Sequence, residues 1–489
     1  MKLAIVLMVT LLWMAPLAPA DDQDIPIAAD REGAHTYRSF RGDQAGTSVE
    51  DQVDVALTAY NDGLGLVRDT RELTLSTGEV MLDFRDVAER IKPETVSLQS
   101  LASAESLTVF EQNYEYDLMS PSKLKEKYVG EMVKLVSFSE KDGFETVDAR
   151  LLSVNEGPIY EVDGEIYLGH PGEVVLPDVP GDLRATPTLV WLLDNALRNQ
   201  ELELTYLTEG ISWKADYVIN LARDDRSMDL TGWITLDNRS GATYENAELK
   251  LVAGDVHRVE RRPEPREMRM MDAAVAAEAA PAQQEAFAEY HLYTIPRRTT
   301  IRQNQQKQVL LLEADDIVSD KHYELHAPSR FFRQQVGAQR DLRPEVYIEF
   351  ANEEGNNLGM PLPAGVMRVY QEDSEGMAQF AGEDRIDHTP RDEDVRLKIG
   401  SAFDVLADRV QTDFTRVSDR VTESSFEITL RNHKDADVTV DVVENLQGDW
   451  EILESSHEYE QRDARTAVFS LEAPSRGETV LTYDVRVRW

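Results

Sequence analysis

The feature that most constrains the fold of this chain is a period of two in its apolar side chains, as in ISWKADYVINL (211–221). The odd positions of this stretch are all apolar, and the even positions are mainly polar. Such alternation is typical of a β-strand with one buried face. Lys214 and Asp216 are then expected to share the solvent-exposed face, where an ion pair contributes about 0–1 kcal/mol to stability and indicates no catalytic role.

The same alternation recurs along the chain and predicts an all-β fold, mainly antiparallel. The tripeptide NDG at 61–63 separates two alternating segments, which is typical of a hairpin. Closely spaced alternating segments after residue 419 predict an immunoglobulin-like sandwich. SPSKLKEKY (120–128) predicts one of few short helices, with a serine cap and a proline in its first turn. DVLADRVQTDFTRVSDR (404–420) fits either a strand or a short helix.

Five short apolar runs separated by glycine turns predict a small SH3-like barrel over 129–177, inserted into a larger unit. The fold is therefore expected to be multi-domain, built of β-sandwich or barrel units. The predicted segments are a signal peptide (1–20), a flexible N-terminal arm (21–50), a central β domain (51–128 and 178–260), the SH3-like insert (129–177), a disordered linker rich in Ala, Glu and Arg (261–289), a β-rich continuation (290–418) and the immunoglobulin-like domain (419–489).

The opening segment MKLAIVLMVTLLWMAPLAPA (1–20) has the pattern of a secretory signal peptide. Lys2 gives it a positive start, the apolar run 3–12 is too short to span a membrane, and Ala-Pro-Ala at 18–20 supplies the small residues of a cleavage site. We therefore expect cleavage near Ala20. The mature protein is expected in the periplasm or outside the cell, with no transmembrane segment.

Charge and composition narrow the range of ligands. The chain has 91 Asp and Glu residues against 51 Lys and Arg, a net charge of −40 at pH 7. This argues against nucleic acid as a partner, because phosphate binding requires a cationic surface. The chain has no cysteine, which excludes disulfides, thiol nucleophiles and thiolate metal sites. It also has no P-loop, dinucleotide fingerprint or nucleophile elbow. We expect no cofactor.

One basic island interrupts this acidic sequence, formed by Arg258, Arg261, Arg262, Arg266 and Arg269. One interpretation is a docking patch for an acidic partner. The other, which is the more common behaviour of charge runs, is a solvated linker end or a clamp onto acidic neighbours.

GEDRIDHTP (382–390) is the densest polar segment and contains Glu383, Asp384, Asp387 and His388. An Asp/His pair beside carboxylates suits acid–base catalysis or a divalent cation. Such a segment is more often a turn whose Asp and Thr side chains bond to the local backbone. We therefore predict no catalytic residue and no metal site. The segment remains the candidate site of an alternative function, which is hydrolysis of an envelope polymer.

HYELH (322–326) places His322 and His326 four residues apart, as in a zinc-binding helix. That motif requires a glutamate directly after the first histidine, whereas this chain has Glu324. On a strand the two histidines would lie about 13 Å apart, too far for one metal. We expect two surface or interface histidines.

Several blocks of the sequence together resemble bacterial exported proteins that contain the domain of unknown function 4139 (DUF4139). They are YNDGLGLVRDTREL, EGISWKADYVINL, ELKLVAGDV, EYHLYTIPRRTTI, VYQEDSEGMAQFAGEDRIDHTPRDEDVRLKIG and ITLRNHKDADVTVDVVENL. The resemblance covers about 50–489. It implies an all-β, multi-domain fold and supplies no catalytic residue that can be assigned to a position of this chain.

Together these features favour a non-enzymatic β-rich protein that binds or assembles at the bacterial cell envelope, with a protein or a glycan as its partner. A less favoured alternative is an outer-membrane barrel, because the terminal YDVRVRW alternates and ends in an aromatic residue. Against it, the chain lacks a regular series of ~10-residue lipid-facing strands.

The signal-peptide interpretation gives a direct prediction. N-terminal sequencing of the exported protein should begin at Asp21, because cleavage follows the small residue Ala20. An exported form that retains Lys2 would contradict it.

Overall fold

The computed structural model describes residues 43–139, 143–170, 172–180, 183–254, 283–287 and 290–489, with the backbone alone for Ser139 and Gln283–Phe287. Within these ranges the chain forms thirty-two strands, one α-helix and five 3-10 helices. The predicted all-β, mainly antiparallel fold is confirmed. No helix in these ranges has the length and apolar character needed to cross a membrane.

The strands of the first half follow one another with short connections. They are β1 (Asp43–Thr47), β2 (Gln52–Tyr60), β3 (Leu64–Thr74), β4 (Gly78–Arg85), β5 (Ser97–Ser100), β6 (Leu107–Glu115), β7 (Met132–Ser139), β8 (Gly143–Ser153), β9 (Ile159–Val162), β10 (Glu165–Leu168), β11 (Glu173–Val175), β12 (Thr188–Asn195), β13 (Asn199–Glu209), β14 (Ile211–Leu221), β15 (Ser227–Asn238) and β16 (Tyr244–Ala253).

The second half has the same character. Its strands are β17 (Gln283–Phe287), β18 (Tyr290–Ile301), β19 (Gln305–Val318), β20 (Asp320–Ala327), β21 (Gln339–Leu342), β22 (Glu345–Ala351), β23 (Gly365–Glu372), β24 (Ala378–Ile386), β25 (Asp394–Ser401), β26 (Val405–Ser418), β27 (Val421–Asn432), β28 (Val438–Asn445), β29 (Asp449–Ser455), β30 (Glu460–Asp463), β31 (Thr466–Ala473) and β32 (Glu478–Arg488).

Helices are few and short. The 3-10 helices span Val49–Asp51, Pro93–Thr95, Ala104–Ser106, Ser329–Phe332 and Glu354–Asn356. The predicted helix at 120–128 is confirmed as α1 (Pro121–Lys127). Its cap is Ser120, whose side chain accepts a hydrogen bond from the Lys123 N–H, and Pro121 occupies the first turn, where its missing N–H costs no helical hydrogen bond.

The strands form six sheets. The central sheet has the order β19-β15-β14-β23-β24, the bridging sheet β25-β22-β20-β28-β31-β30, the C-terminal sheet β21-β26-β27-β32-β29, and the small sheet β10-β9-β8-β7-β11. The other two sheets have the orders β1-β4-β12-β6 and β17-β18-β16-β2-β3-β13-β5. The hairpin predicted at NDG is confirmed, since β2 and β3 flank it and pair antiparallel.

Two large hydrophobic cores and one small core lie between these sheets. The first takes side chains from the sheet β1-β4-β12-β6, the sheet β17-β18-β16-β2-β3-β13-β5, the central sheet and part of the bridging sheet. The second lies between the bridging and C-terminal sheets. It begins at Tyr323, so these two packed sheets include strands that precede residue 419, the predicted start of the last domain. The small sheet has its own core of Val133, Leu135, Ala149, Leu151, Tyr160 and Val162. The SH3-like and immunoglobulin-like assignments remain predictions.

In β14 the alternation of apolar residues in the sequence corresponds to the alternation of buried side chains in the structure. Its six odd-numbered side chains, Ile211 to Leu221, are buried. The strand pairs antiparallel with β15 on one side and parallel with β23 on the other. The even face departs from the prediction at one position. Lys214 is exposed, but only 8% of Asp216 is accessible, because side chains from β15 and β23 close over it.

Strands lie within three segments that the sequence patterns predicted as an arm, a linker, and either a strand or a short helix. β1 lies within the predicted arm, where it pairs parallel with β4. β17 lies within the predicted linker and pairs with β18; the rest of 261–289 lies outside the described residues. The ambiguous segment at 404–420 is the long strand β26, which pairs with β27.

The two faces of β14 should respond differently to mutation. Trp213 is 4% exposed and its Nε1 donates to the Ala59 carbonyl at 3.1 Å. Trp213→Ala should therefore reduce the free energy of unfolding by about 3–5 kcal/mol. Lys214→Ala should change it by no more than about 0.5 kcal/mol, because Asp216 keeps its other partners. Denaturant midpoints at constant slope measure both effects, and equal destabilisation would contradict the strand assignment.

Candidate functional surfaces

The polar segment at 382–390 lies where two sheets cross. Glu383 and Asp384 are neighbours on β24 of the central sheet, so their side chains point to opposite faces. β24 passes β25 of the bridging sheet so closely that a Cβ on Gly382 would lie 2.1 Å from the Ile399 carbonyl oxygen. Glycine is therefore required at this crossing. The close approach of the two strands fixes the positions of Glu383 and Asp384, which follow Gly382 on β24.

The Asp384 carboxylate accepts hydrogen bonds from two main-chain N–H groups, one of them on the other sheet. Its Oδ2 accepts from the Lys398 N–H on β25 at 2.8 Å, and its Oδ1 accepts from the Arg385 N–H at 2.8 Å. His388 lies in the following loop, where its Nδ1 accepts from the Ala364 N–H at 3.1 Å. The Asp387 carbonyl accepts from Thr389 Oγ1 at 3.0 Å. The Asp384–Arg385 and Asp387–Thr389 contacts are local, as in a turn, whereas Asp384 and His388 also accept hydrogen bonds from main-chain N–H groups 14 and 24 residues away.

Glu383 belongs instead to a charge network centred on Asp216. Its Oε2 lies 3.2 Å from Arg368 Nε, and Arg368 Nη1 lies 3.0 Å from Asp216 Oδ1. Thr235 Oγ1 donates to Asp216 Oδ2 at 3.0 Å, and Lys214 Nζ lies 3.2 Å from the same oxygen. Burial raises the pKa of the Asp216 carboxyl, but the hydrogen bonds from Arg368, Lys214 and Thr235 outweigh it and hold the pKa below its usual value. The network joins β14, β15, β23 and β24.

A second network surrounds the two histidines of HYELH. Both lie on β20, a strand, and both are partly exposed. Between them in sequence, Glu324 is 3% exposed. Its carboxylate lies 2.7 Å from Arg396 Nη2, 2.9 Å from His326 Nε2 and 3.4 Å from Arg462 Nη1. Burial raises the pKa of the Glu324 carboxyl, but these neighbours, Arg396 above all, bring it below its usual value.

The same network continues onto β22 and β25. Glu345 forms an ion pair with Lys398 and accepts a hydrogen bond from the Tyr347 hydroxyl at 2.7 Å. Burial and the Glu345 carboxylate raise the pKa of Tyr347 to about 12, so this hydroxyl stays protonated, and remains a donor, to a more alkaline pH than an ordinary tyrosine. Glu349 pairs with Arg396 Nε at 2.7 Å. Glu345 and Glu349 on β22 thus contact cations on the neighbouring strand β25, and Glu324 on β20 reaches Arg396 on β25, two strands away, so these ion pairs connect three strands of the bridging sheet.

Two clefts border this network. One, of about 460 Å³, is lined by ten residues that include His322 and Glu349. The other, of about 250 Å³, is lined by eight that include Glu324, His326 and Glu345. Within the residues that the structure describes, no group of three or more His, Asp or Glu side chains is arranged to hold a metal ion.

The small sheet carries a different kind of surface. Phe138 and Phe144 face each other across the β7–β8 hairpin, with ring centroids 5.1 Å apart. They are 65% and 78% exposed. On the edge strand β10, Ile166 is 58% exposed and Leu168 is 86% exposed. Single exposed apolar residues are common on protein surfaces, but exposed apolar residues that lie together, such as this aromatic pair, are typical of interaction surfaces.

The exposure of Phe138 could have been predicted from its position in the alternating pattern of β7. On β7 the buried residues are Val133 and Leu135, whereas Phe138 has the parity of the exposed Lys134. An aromatic residue on the polar face of an alternating strand points away from the core. The charge networks left no such signal, because their members come from strands far apart in the chain. The predicted basic island, Arg258 to Arg269, lies outside the described residues.

The comparison with known families gives one finding. A family described as "Domain of unknown function (DUF4139)" matches residues 202–489. The match begins within β13 and takes in the central, bridging and C-terminal sheets. No curated protein matches the chain.

Glu324 provides a test of the second network through pH. Because its folded pKa lies below its unfolded value, its ionised form stabilises the fold above about pH 4.3, and this contribution is lost as pH falls through the folded pKa. Glu324→Gln should cost about 1–3 kcal/mol at pH 7, and the difference from the wild type should shrink between about pH 5 and pH 3. Urea unfolding at a series of pH values measures it.

The matched control is Glu427→Gln, on the exposed face of β27. It should change stability by less than about 0.5 kcal/mol at every pH. A Glu324→Gln deficit that is constant with pH would show that the ionised carboxylate is not the stabilising species.

Proposed function

The chain belongs to the DUF4139 family, and from that premise we propose that it is an exported, non-enzymatic protein that binds another protein at the cell envelope through the small sheet. The proposed address, periplasmic or secreted, rests on the signal-peptide pattern of residues 1–20. The small sheet precedes the region matched by the family. The proposed binding surface is therefore a feature of this chain beyond the matched part.

The observation that carries the proposal is the concentration of exposed apolar side chains on the small sheet. Leu168 and Phe144 are the two most exposed large apolar residues among those described, and Phe138 and Ile166 are also more than half exposed. Leaving apolar area in water costs about 25 cal/mol per Å² relative to burying it. A partner that covers these side chains would recover that free energy on binding.

The surrounding architecture supports a binding role for this unit. Its six-residue core is separate from the two larger cores. Phe138 and Phe144 project from a hairpin end and contribute nothing to that core. Their exposure therefore does not serve the packing of the small sheet. A protein partner suits such a surface, because interface cores are enriched in aromatic residues.

Site-specific crosslinking in the producing cell tests the proposal. A photoreactive phenylalanine analogue at position 144 should give a protein adduct that protease removes. The same analogue at Phe403 is the matched control, since Phe403 is 75% exposed but lies between β25 and β26, in another part of the fold. It should not give this adduct.

The pair Phe138→Ser and Phe144→Ser should abolish capture of the protein crosslinked at position 144, with the unfolding midpoint unchanged because both rings are exposed. Equal adducts at positions 144 and 403, no adduct at 144, or an adduct that resists protease and consists of glycan would overturn the proposal.

A further inference from the structure

The edge strands of the six sheets differ in how well they are protected against pairing with another strand. An edge strand presents unpaired N–H and C=O groups, and proteins commonly block it with a bulge, with charge or by keeping it short. Seven edge strands carry a shift of register, or bulge, in their pairing with the neighbouring strand. They are β6, β19, β21, β24, β25, β29 and β30.

The remaining edge strands pair without a bulge. β1 and β5 consist mostly of polar or small residues, and β11 has only three residues. β17 is described by its backbone alone. β10 differs from all of these. Its four residues, Glu-Ile-Tyr-Leu, pair regularly with β9, and all four are exposed. Among the edge strands with described side chains, it alone is regular and presents two aliphatic side chains that are more than half exposed.

The hairpin geometry shows which backbone groups are available. β9 and β10 are joined by the two-residue turn Asp163-Gly164, whose φ values of 51° and 84° suit a type I′ turn. In such a hairpin the residues that flank the turn, Val162 and Glu165, exchange both hydrogen bonds, and the pattern alternates from there. Glu165 and Tyr167 therefore point their N–H and C=O groups at β9. Ile166 and Leu168 point theirs to the free edge.

We propose that β10 is a strand-addition site that binds an extended, basic segment of another protein with apolar residues at alternate positions. The inference rests on the proposed function and names the chemistry of the partner. The backbone of the segment would pair with the outward N–H and C=O groups of Ile166 and Leu168. Its apolar side chains would cover those of Ile166 and Leu168, which share one face of the sheet.

The small sheet is acidic, and this is why we expect the bound segment to be basic. Residues 132–175 contain nine Asp and Glu against three Lys and Arg, a net charge of −6. Three of these acids, Glu161, Asp163 and Glu165, lie on the β9–β10 hairpin itself. Lysine or arginine beside the apolar positions of the segment would be attracted to this hairpin, and an acidic segment would be repelled.

A synthetic peptide provides the probe. Fluorescein-labelled Lys-Val-Thr-Val-Thr-Val-Lys should bind the full-length protein in an anisotropy titration. The peptide with both lysines replaced by glutamate should bind more weakly by about tenfold or more. Methylation of backbone nitrogens distinguishes strand addition from simple apolar contact, because alternate N–H groups of a strand face the same edge. One alternate set of N-methyl groups should abolish binding and the other should not.

Variants of β10 complete the test. Leu168→Pro removes an outward N–H without a loss from the β9 ladder, a position where an edge strand tolerates proline. It should weaken peptide binding at least about tenfold with the unfolding midpoint unchanged. Tyr167→Phe, which keeps every backbone group, should bind like the wild type.

Binding that survives both N-methylated sets, or that Leu168→Pro leaves intact, would overturn strand addition. Self-association of the wild type that Leu168→Pro removes and the peptide does not compete with would also overturn it, in favour of a second copy of the chain. If the position-144 crosslink is found but no peptide binds, the proposed function stands and this inference fails. If peptides bind but the crosslink is absent, the inference stands as a property of β10 and the proposed function fails.

Discussion

The structure depends on the burial of one face of β14 at the centre of the first core. This strand joins parts of the chain that are distant in sequence, because it pairs antiparallel with β15 and parallel with β23. Two of its buried aromatic residues add directional contacts, from Trp213 Nε1 to the Ala59 carbonyl and from the Tyr217 hydroxyl to the Pro363 carbonyl. Burying such rings favours folding, and hydrogen-bonding their polar atoms removes the penalty that burial would impose on them.

The packing of the sheets determines the environment of the buried charged side chains. Asp216 and Glu324 both lie on strands that also bury apolar residues, and both are buried carboxylates that contact cations from other strands. A buried carboxylate without such partners would be strongly destabilising. Similarly, Arg409 and Glu444 form a buried pair in the second core, where Arg409 also donates to the Tyr483 hydroxyl at 3.0 Å. These groups have perturbed environments for structural reasons, so their burial alone does not identify an active site.

The edge strands of the larger sheets are mostly interrupted by bulges, whereas the edge strand β10 of the small sheet is not. Bulges interrupt seven edge strands, which makes them poor templates for a further strand. The small sheet has an edge strand without a bulge, β10, and an exposed aromatic pair, Phe138 and Phe144, on its β7–β8 hairpin. Both features leave apolar area in water on the unit that has its own core. The proposals on binding both rest on this difference between the small sheet and the larger sheets.

The sequence by itself determined the elements whose signal is local. Alternation placed the buried face of β14, NDG placed the first hairpin, and the Ser-Pro start placed α1, because each depends on neighbouring residues only. Only the tertiary structure decided the rest. Asp216 has the sequence parity of an exposed residue, yet Arg368, 152 positions away, and Thr235 enclose it. Glu383 and Asp384 are adjacent in GEDRIDHTP but serve different partners, because adjacent strand residues face opposite sides. Whether an edge strand is bulged or open depends on its partner's register, which no single segment encodes.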